Sequence, residues 1–253
     1  MRSFLYSMRM ELDERLKAKL ATYTADPAML ESIKDVPILF VVGISGAGKD
    51  TVLHRLMEKH PDQYRFIVSH TTRQPRRNLG VMEEEGVDYH FVDYAEIDRL
   101  LDEKAFIESK QYADNIYGTT IAEVAAAKLH HRIAFGDVTV TGADEYVDLG
   151  LRVRNVFLLP PNYEVWQKRL LARYEGNVHQ HDLYKRMKTA LAELEHAMTT
   201  DYFYIVINDD LDETVELTNQ IAHGEEHEPH YHKAMAIAEQ IAEKTRAQLA
   251  SME

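Results

Sequence analysis

Residues 37–51 have the sequence PILFVVGISGAGKDT, an apolar run that leads directly into a glycine-rich loop. The run up to Val42 is short, continuous and rich in branched side chains, which predicts a buried strand of a parallel sheet. A helix is expected to follow, from about Lys49 to Lys59. Glycines let the loop curl so that its N–H groups point inward, and the helix start adds positive potential. The stretch therefore predicts a P-loop that binds a nucleoside triphosphate, with Lys49 facing the outer phosphates.

The residue after the lysine departs from the usual P-loop pattern. Ser or Thr normally stands there and helps to hold Mg²⁺, whereas this chain has Asp50 followed by Thr51. A carboxylate is a hard oxygen ligand, so Asp50 or Thr51 is expected to serve the metal. The candidate ATP-binding residues are Ser45, Gly46, Ala47, Gly48, Lys49, Asp50 and Thr51.

Composition narrows the classes of protein to be considered. The chain has 253 residues, a formal net charge of -13 and no cysteine, which excludes a disulfide scaffold and a thiol nucleophile. No apolar stretch approaches the length of a membrane helix, and the charged N-terminus does not resemble a signal peptide, so we expect a cytoplasmic protein without membrane contact. The acidic balance argues against nucleic-acid binding. Any phosphate ligand must then be met by a local basic patch.

Further apolar runs follow the P-loop, separated by helical segments. Strands are predicted at 65–69, 132–138, 153–159 and 204–208, and helices at 121–130 and 163–173. Alternating strands and helices indicate an α/β fold with a central parallel sheet. Residues 1–34 predict a helical extension, 35–222 the central domain, and 223–253 a polar linker followed by a helix from about Lys233.

The local basic patch lies shortly after the P-loop. Residues 63–82 contain no acidic residue but include Arg65, Arg73, Arg76 and Arg77. The planar guanidinium of arginine can bind two phosphate oxygens at once, so this segment is a candidate anion site. A triplet of glutamates, residues 83–85, follows it.

At this point the chain resembles the guanylate kinase family. The resemblance spans about residues 37–223 and depends on five motifs that occur in the family's order and at nearly its spacing. These motifs are SHTTRQPR at 69–76, GVDYHFV at 86–92, FIE at 106–108, YGT at 117–119 and NDD at 208–210. The loop between Arg76 and Tyr89 is longer than is usual in the family.

The resemblance implies where the acceptor nucleotide binds. Residues matching Arg73, Arg76, Tyr89 and Tyr117 hold the phosphate of GMP in this family. Those matching Ser69, Glu108 and Thr119 surround the guanine or complete its pocket. Their chemistry agrees, because a carboxylate can accept from the two N–H groups on the pairing edge of guanine and a hydroxyl can donate to its carbonyl.

The resemblance also implies a lid and a metal residue. A helical lid at about 168–188 would bring Arg169, Arg173 and Arg186 over the phosphates. Asp137 keeps the first residue of the family's acidic pair and is a candidate to hold Mg²⁺ through water, the alternative being a turn or cap residue. Thr139 stands where the second acid, which lies beside the guanine, is expected.

The implied fold is a three-layer P-loop NTPase fold with a central parallel sheet, a small mixed GMP-binding region at about 69–120, and added terminal helices. The implied function is direct in-line transfer of the γ-phosphate of MgATP to GMP or dGMP, in purine nucleotide metabolism. Lys49, Arg73, Arg169, Arg173 and Arg186 are the candidate catalytic residues.

Two alternatives stay open. One is a P-loop kinase for another nucleoside monophosphate or a sugar phosphate, because some of those enzymes also have an Asp at the position of Asp50. The other is a non-catalytic guanylate-kinase-like module that binds a partner protein. We expect ATP and GMP as small-molecule partners, and a monomer or a homodimer.

Overall fold

The computed structural model describes residues 14–78, 81–112, 114–172, 174, 179–225 and 228–252. Its helices are α1 (14–21), α2 (Pro27–Glu31), α3 (Lys49–Lys59), α4 (Tyr94–Asp102), α5 (Ile121–Leu129), α6 (Val140–Asp148), α7 (Tyr163–Ala172), α8 (Gln180–Thr199), α9 (Leu211–His223) and α10 (Glu228–Met252). Its strands are β1 (Ile38–Gly43), β2 (Tyr64–Phe66), β3 (His70–Thr71), β4 (Arg77–Asn78), β5 (Val81–Met82), β6 (His90–Phe91), β7 (Phe106–Tyr112), β8 (Asn115–Thr120), β9 (Ile133–Gly136), β10 (Val153–Leu159) and β11 (Phe203–Ile207). The chain forms two compact units: unit 1 combines residues up to 36 with 66–131, and unit 2 combines 37–65 with the residues from 132 onward.

Unit 2 is built on a sheet with the strand order β11-β10-β1-β9-β2, in which β2 ends at the unit boundary. β1 pairs in parallel with β10 and β9, and β10 pairs in parallel with β11. Successive side chains of a strand point to opposite faces of its sheet, and every residue of β1 is buried. Both faces are therefore covered at β1, as expected for the central parallel sheet of a three-layer α/β fold.

Local sequence patterns predicted several of these elements closely. α3 and β10 have the predicted bounds, and β11 and β9 lie within a few residues of theirs. The strand predicted at 65–69 was wrong in length, because β2 ends at Phe66 and the chain next forms β3 in a different sheet. Among the described helices, none combines the length and the apolar character needed to cross a membrane.

The C-terminal helix begins earlier than predicted. α10 starts at Glu228, so a polar linker reaching His232 was wrong; Pro229 is tolerated because the first helical turn lacks intrahelical partners for its N–H groups. α10 packs on α8, α7 and β11. Its buried residues recur at helical spacing: Ala234, Ala238, Ile241, Ala242, Thr245 and Leu249. The helix is thus part of the packed core of unit 2.

Unit 1 contains a smaller mixed sheet with the order β6-β3-β8-β7. β3 pairs in parallel with β6 and antiparallel with β8, and β7 pairs antiparallel with β8. An apolar cluster joins α1, α4 and this sheet through Leu16, Ile97, Leu100, Leu101, Phe106 and Ile116. The N-terminal extension is therefore packed into unit 1.

Candidate active site

The glycine-rich loop connects β1 to α3 at the carboxyl end of β1, where ligands bind in open α/β sheets. Gly43 has φ 142°, and a Cβ there would lie 2.5 Å from the carbonyl oxygen of Leu158. Gly48 is the N-cap of α3 with φ 96°. Both positions need glycine, because a side chain would be strained at these angles and would collide with backbone at the first. The loop thus has the curled backbone that the sequence predicted.

Two side chains from distant elements hold the loop in place. The indole Nε1 of Trp166 donates to the carbonyl oxygen of Ser45 at 2.9 Å. The amide Nδ2 of Asn208 donates to the carbonyl oxygen of Ala47 at 2.7 Å, and Asn208 is buried. Asn208 belongs to one of the five family motifs, but nothing in the sequence indicated its role. The structure identifies it as a clamp on the phosphate loop.

Replacing Asn208 by alanine is expected to loosen this loop. Loss of a buried amide hydrogen bond, with the Ala47 carbonyl left unpaired, should lower the free energy of unfolding by about 1–3 kcal/mol. The melting temperature should fall by roughly 3–8 °C, and the KM for ATP should rise. Asn219→Ala is the matched control, because Asn219 accepts from the Tyr64 hydroxyl at 2.7 Å, away from the loop. An unchanged KM for ATP in Asn208→Ala would contradict the clamp.

A cleft of about 380 Å³ lies over the loop. Its lining residues are Gly46, Gly48, Lys49, Asp50, Thr51, Arg169, Asn208, Asp209 and Leu211. Lys49 Nζ donates to the carbonyl oxygen of Gly43 at 2.6 Å, and the two terminal guanidinium nitrogens of Arg169 lie 3.4 and 3.5 Å from the carbonyl oxygen of Asn208. The side chains of Lys49 and Arg169 therefore bring two positive charges to the cleft over the glycine-rich loop.

Two carboxyl groups, those of Glu193 and Asp137, interact electrostatically with Lys49. Burial raises the pKa of the Glu193 carboxyl on α8, while the charge of Lys49 opposes the shift. Asp137 directly follows β9, and part of the residue is exposed to solvent. Burial of its carboxyl by the surrounding protein raises the pKa of Asp137, and the negative charge of Asp50 raises it further. Asp50, Asp137 and Lys49 are thus close enough to interact electrostatically.

The three arginines predicted for the lid differ in their position relative to the cleft. Arg169 lines the cleft, whereas Arg186 is exposed on α8, and Arg173 lies outside the described residues. Thr139 has a structural role in unit 2: it is the N-cap of α6, and its hydroxyl accepts from Gly142 N at 3.1 Å. A hydroxyl is well suited to this position, because it satisfies an N–H group at a helix start.

Unit 1 brings the three predicted base-pocket residues together. The hydroxyls of Ser69 and Thr119 are 3.2 Å apart. Thr119 N donates to Glu108 Oε1 at 3.1 Å, and Glu108 is half-buried. The register explains the assembly, because β8 pairs with both β3 and β7. A carboxylate and two hydroxyls are therefore grouped around Thr119.

The predicted anion-binding residues also meet in unit 1. The guanidinium carbon of Arg73 lies 5.1 Å from the ring centre of Tyr89, and the rings of Tyr89 and Tyr117 are 6.0 Å apart. Hydrogen bonding to Glu83 raises the pKa of Arg73 above its ordinary value, and a bond to the Tyr117 hydroxyl adds to the shift. Tyr117 and Thr119 are two residues apart on β8, so they share a face of the strand. The anion site and the base pocket are thus neighbours.

Glu83 is a residue of this site that sequence reasoning treated only as part of an acidic loop. Its two carboxylate oxygens bind Arg73 at 2.8 and 3.0 Å, and one of them accepts from Arg76 N at 3.0 Å. The side chain is only 7% exposed. The bond to Arg73 holds the pKa of Glu83 below its usual range, against the effect of burial. The signal available in the sequence was an acid close behind an acid-free, arginine-rich stretch.

Comparisons with known proteins agree with this geometry. A family model described as guanylate kinase matches residues 36–232. The guanylate kinase of Schizosaccharomyces pombe is 34% identical over 184 residues, covering 72% of this chain and 88% of that protein. The guanylate kinase of Sus scrofa is 37% identical over 171 residues, covering 67% and 83%.

Two further matches extend the comparison. Guanylate kinase 1 of Oryza sativa is 33% identical over 192 residues, and the chain spans about half of it, 49%. The crystal structure of guanylate kinase from Anaplasma phagocytophilum matches with a TM-score of 0.54 and 25% identity, covering 76% of this chain and 87% of that one. With a family model that matches residues 36–232 and relatives more than 30% identical over most of their length, this chain belongs to the guanylate kinase family.

Proposed function

We propose that this protein is an ATP-dependent guanylate kinase, which transfers the γ-phosphate of ATP to GMP and releases ADP and GDP. The proposal rests on two neighbouring groups of residues within unit 1. The Glu108 carboxylate lies with the hydroxyls of Ser69 and Thr119, and the anion site around Arg73 includes Tyr117, which lies two residues before Thr119 on β8. These two groups match the two ends of a purine nucleoside monophosphate. The P-loop in unit 2 supplies the site for the donor.

The base pocket favours guanine for a chemical reason. Glu108 can accept from the N1–H and the 2-amino group of guanine, while the hydroxyl of Ser69 can donate to the 6-carbonyl. Adenine would present a ring nitrogen lone pair to the same carboxylate and leave it poorly paired. A site with buried polar groups rejects such an analogue strongly.

The anion site is shaped for an oxyanion. Glu83 already makes with Arg73 the two-pronged bond that a phosphate would make. The guanidinium group has N–H donors beyond the three that bind Glu83 and the carbonyl oxygen of Gln74, so Arg73 can contact a phosphate while it stays oriented by Glu83. Arg76 is exposed beside it and adds positive charge.

The transfer step needs alignment and charge neutralisation more than covalent chemistry. The acceptor is already an anionic phosphate, so no general base is required. Lys49 and Arg169, which line the cleft over the P-loop, would stabilise the charge that develops on the transferring group. We propose that Arg173 and Arg186 assist from the lid.

The acidic residues near the P-loop fit a magnesium ion that arrives with the nucleotide. Burial raises the pKa of Asp137 and the negative charge of Asp50 raises it further, and a divalent cation held by these residues would favour their ionised form. Among the residues placed by the structure, no group of three or more acidic or histidine side chains could hold a metal alone. Mg²⁺ is usually bound by one or two carboxylates together with substrate phosphates, so Asp50, Thr51 and Asp137 are the proposed protein side. When bound, the ion would supply further neutralisation of phosphate charge.

An acceptor panel tests the function directly. ADP release is measured with ATP and, in turn, GMP, dGMP, AMP, CMP and UMP. We expect the highest kcat/KM with GMP or dGMP. Faster turnover with another base or a sugar phosphate would favour the alternative kinase, and no turnover with any acceptor would favour a non-catalytic binding module.

Replacing Glu108 by glutamine tests the base pocket. Glutamine removes one acceptor and turns an N–H donor toward the donors of guanine, so kcat/KM for GMP should fall by about 100-fold. The KM for ATP should not change. Glu103→Gln is the matched control, because Glu103 lies in the same unit but pairs with Arg99 at the surface. Equal losses in the two variants would contradict the assigned role of Glu108.

A further inference from the structure

Tyr23 lies before the segment matched by the family model, in the stretch that follows α1. Its hydroxyl donates to the carbonyl oxygen of Phe106 at 2.7 Å, and the two rings meet edge to face at 6.4 Å. Phe106 is the first residue of β7, and Glu108 follows two residues later. The N-terminal extension therefore contacts the strand that carries the base-pocket carboxylate.

The contact is made where β7 is irregular. Phe106 is paired with Thr120 and Glu108 with Thr119, so two steps along β7 correspond to one along β8. Bulges of this kind interrupt the ladder and re-aim the neighbouring side chains. Here the side chain beyond the bulge is Glu108, which accepts from Thr119 N. A hydrogen bond to the carbonyl at the start of the bulge restrains the backbone that directs this carboxylate.

Phe106 transmits this restraint to the opposite strand as well. Its ring lies against Gly118, where an added Cβ would come within 2.9 Å of two ring carbons. Gly118 lies between Tyr117 and Thr119 on β8. A shift of Phe106 would therefore disturb both strands that line the pocket.

The extension itself is firmly attached to unit 1. Leu16 is only 1% exposed in the apolar cluster with α4 and β7, and Tyr23 packs on the same cluster. Lys19 forms an ion pair with Asp98 and a second with Asp102 at 2.6 Å. Burial of Leu16 with its apolar neighbours stabilises this attachment, and the partly buried pair of Lys19 with Asp98 adds to it. The position of Tyr23 is thus set by tertiary packing.

The hydroxyl of Tyr23 stays a neutral donor under assay conditions. Burial raises the pKa of Tyr23 to about 12, and the negative charges of Asp26 and Glu108 add to the shift. The negative charge of Glu108 therefore acts on the Tyr23 hydroxyl.

We propose that Tyr23 is a positioning residue for Glu108, so that the N-terminal extension tunes recognition of the guanine 2-amino group. The inference rests on the proposed function, because it concerns the same pocket. It assigns the extension a role in substrate specificity through the Phe106 carbonyl and the bulge.

The test compares Tyr23→Phe with Tyr94→Phe in the full chain. Tyr94 packs on the same apolar cluster, and its hydroxyl also donates to a backbone carbonyl, that of Asp114, at 3.0 Å. Each variant loses one hydroxyl, but only Tyr23 contacts β7 beside Glu108. The acceptors are GMP and inosine monophosphate, which lacks the 2-amino group. KM, kcat and melting temperature are measured for both variants and the wild type.

We expect the KM for GMP to rise roughly 3- to 10-fold in Tyr23→Phe, with a smaller rise for inosine monophosphate and kcat within about two-fold of wild type. The ratio of the two kcat/KM values should therefore fall in Tyr23→Phe and stay unchanged in Tyr94→Phe. An unchanged ratio in Tyr23→Phe, even with a lower melting temperature, would overturn the proposal. An equal fall in Tyr94→Phe would do the same.

The wild-type control separates this inference from the proposed function. Wild-type protein that phosphorylates GMP, with an unchanged ratio in Tyr23→Phe, would overturn only the role of Tyr23. Wild-type protein with no turnover of GMP would refute the proposed function and this inference together.

Discussion

Replacement of Lys49 by methionine is expected to lower kcat by about 1,000-fold, equivalent to roughly 4 kcal/mol of transition-state stabilisation. Lys49 begins α3 and lines the cleft over the P-loop, with its ammonium group bound to the carbonyl oxygen of Gly43. Methionine keeps the unbranched stem but has no charge to offer the transferring phosphate. ADP release at saturating ATP and GMP measures the loss.

The fold should tolerate this replacement, because the Lys49 side chain is only partly buried. Lys59→Met is the matched control: it makes the same change at the other end of the same helix, where Lys59 pairs with Asp212 at 2.8 Å. We expect near-normal kcat in the control and similar melting temperatures for both variants. A kcat for Lys49→Met within about ten-fold of wild type would show that Lys49 contributes little to the transition state.

Replacement of Arg73 by lysine is expected to lower kcat/KM for GMP by about 100-fold while the KM for ATP stays constant. Lysine keeps the positive charge but cannot form the planar two-pronged bond that Arg73 makes with Glu83. It also loses much of the contact with the Tyr89 ring. The acceptor phosphate would then meet a cation that Glu83 no longer holds in a fixed orientation.

Arg99→Lys provides the comparison for Arg73→Lys. Arg99 belongs to the same unit and also forms ion pairs, with two carboxylates where Arg73 has one, but it lies at the surface of α4 and binds Glu96 and Glu103. Its replacement should leave GMP kinetics unchanged. Similar losses in the two variants, or a parallel rise in the KM for ATP with Arg73→Lys, would mean that Arg73 acts on the fold of unit 1 instead of on the phosphate.

Local sequence patterns were sufficient to predict the P-loop and the elements on either side of it. The apolar run before the P-loop, the loop glycines and the helix after them are determined by neighbouring residues, and α3 and β10 have the predicted bounds. The residues proposed for the base and anion sites were found differently, because they matched motifs of the family and not a local period. The linker expected before Lys233 was wrong, because polar composition alone cannot show that a segment is the first turn of a packed helix.

Hydrogen bonds between residues far apart in the chain could not be predicted from the sequence. Asn208 clamps a carbonyl 161 positions away, and Tyr23 binds one 83 positions away. Neither contact has a periodicity or spacing that a linear pattern could reveal. The role of Glu83 was similarly hidden, since an acidic triplet in a loop equally predicts a solvated surface.

By itself the sequence determined the fold class and the phosphate loop, because strand and helix periods and glycine geometry are properties of short segments. The residues proposed for the base and anion sites came from motifs of the family. Only the tertiary structure decided how those residues are held: which carboxylate orients Arg73, which amide clamps the loop, and which units the terminal helices join. Hydrogen bonds and ion pairs depend on distances of a few ångströms between side chains, and those distances are set when the chain packs its apolar core.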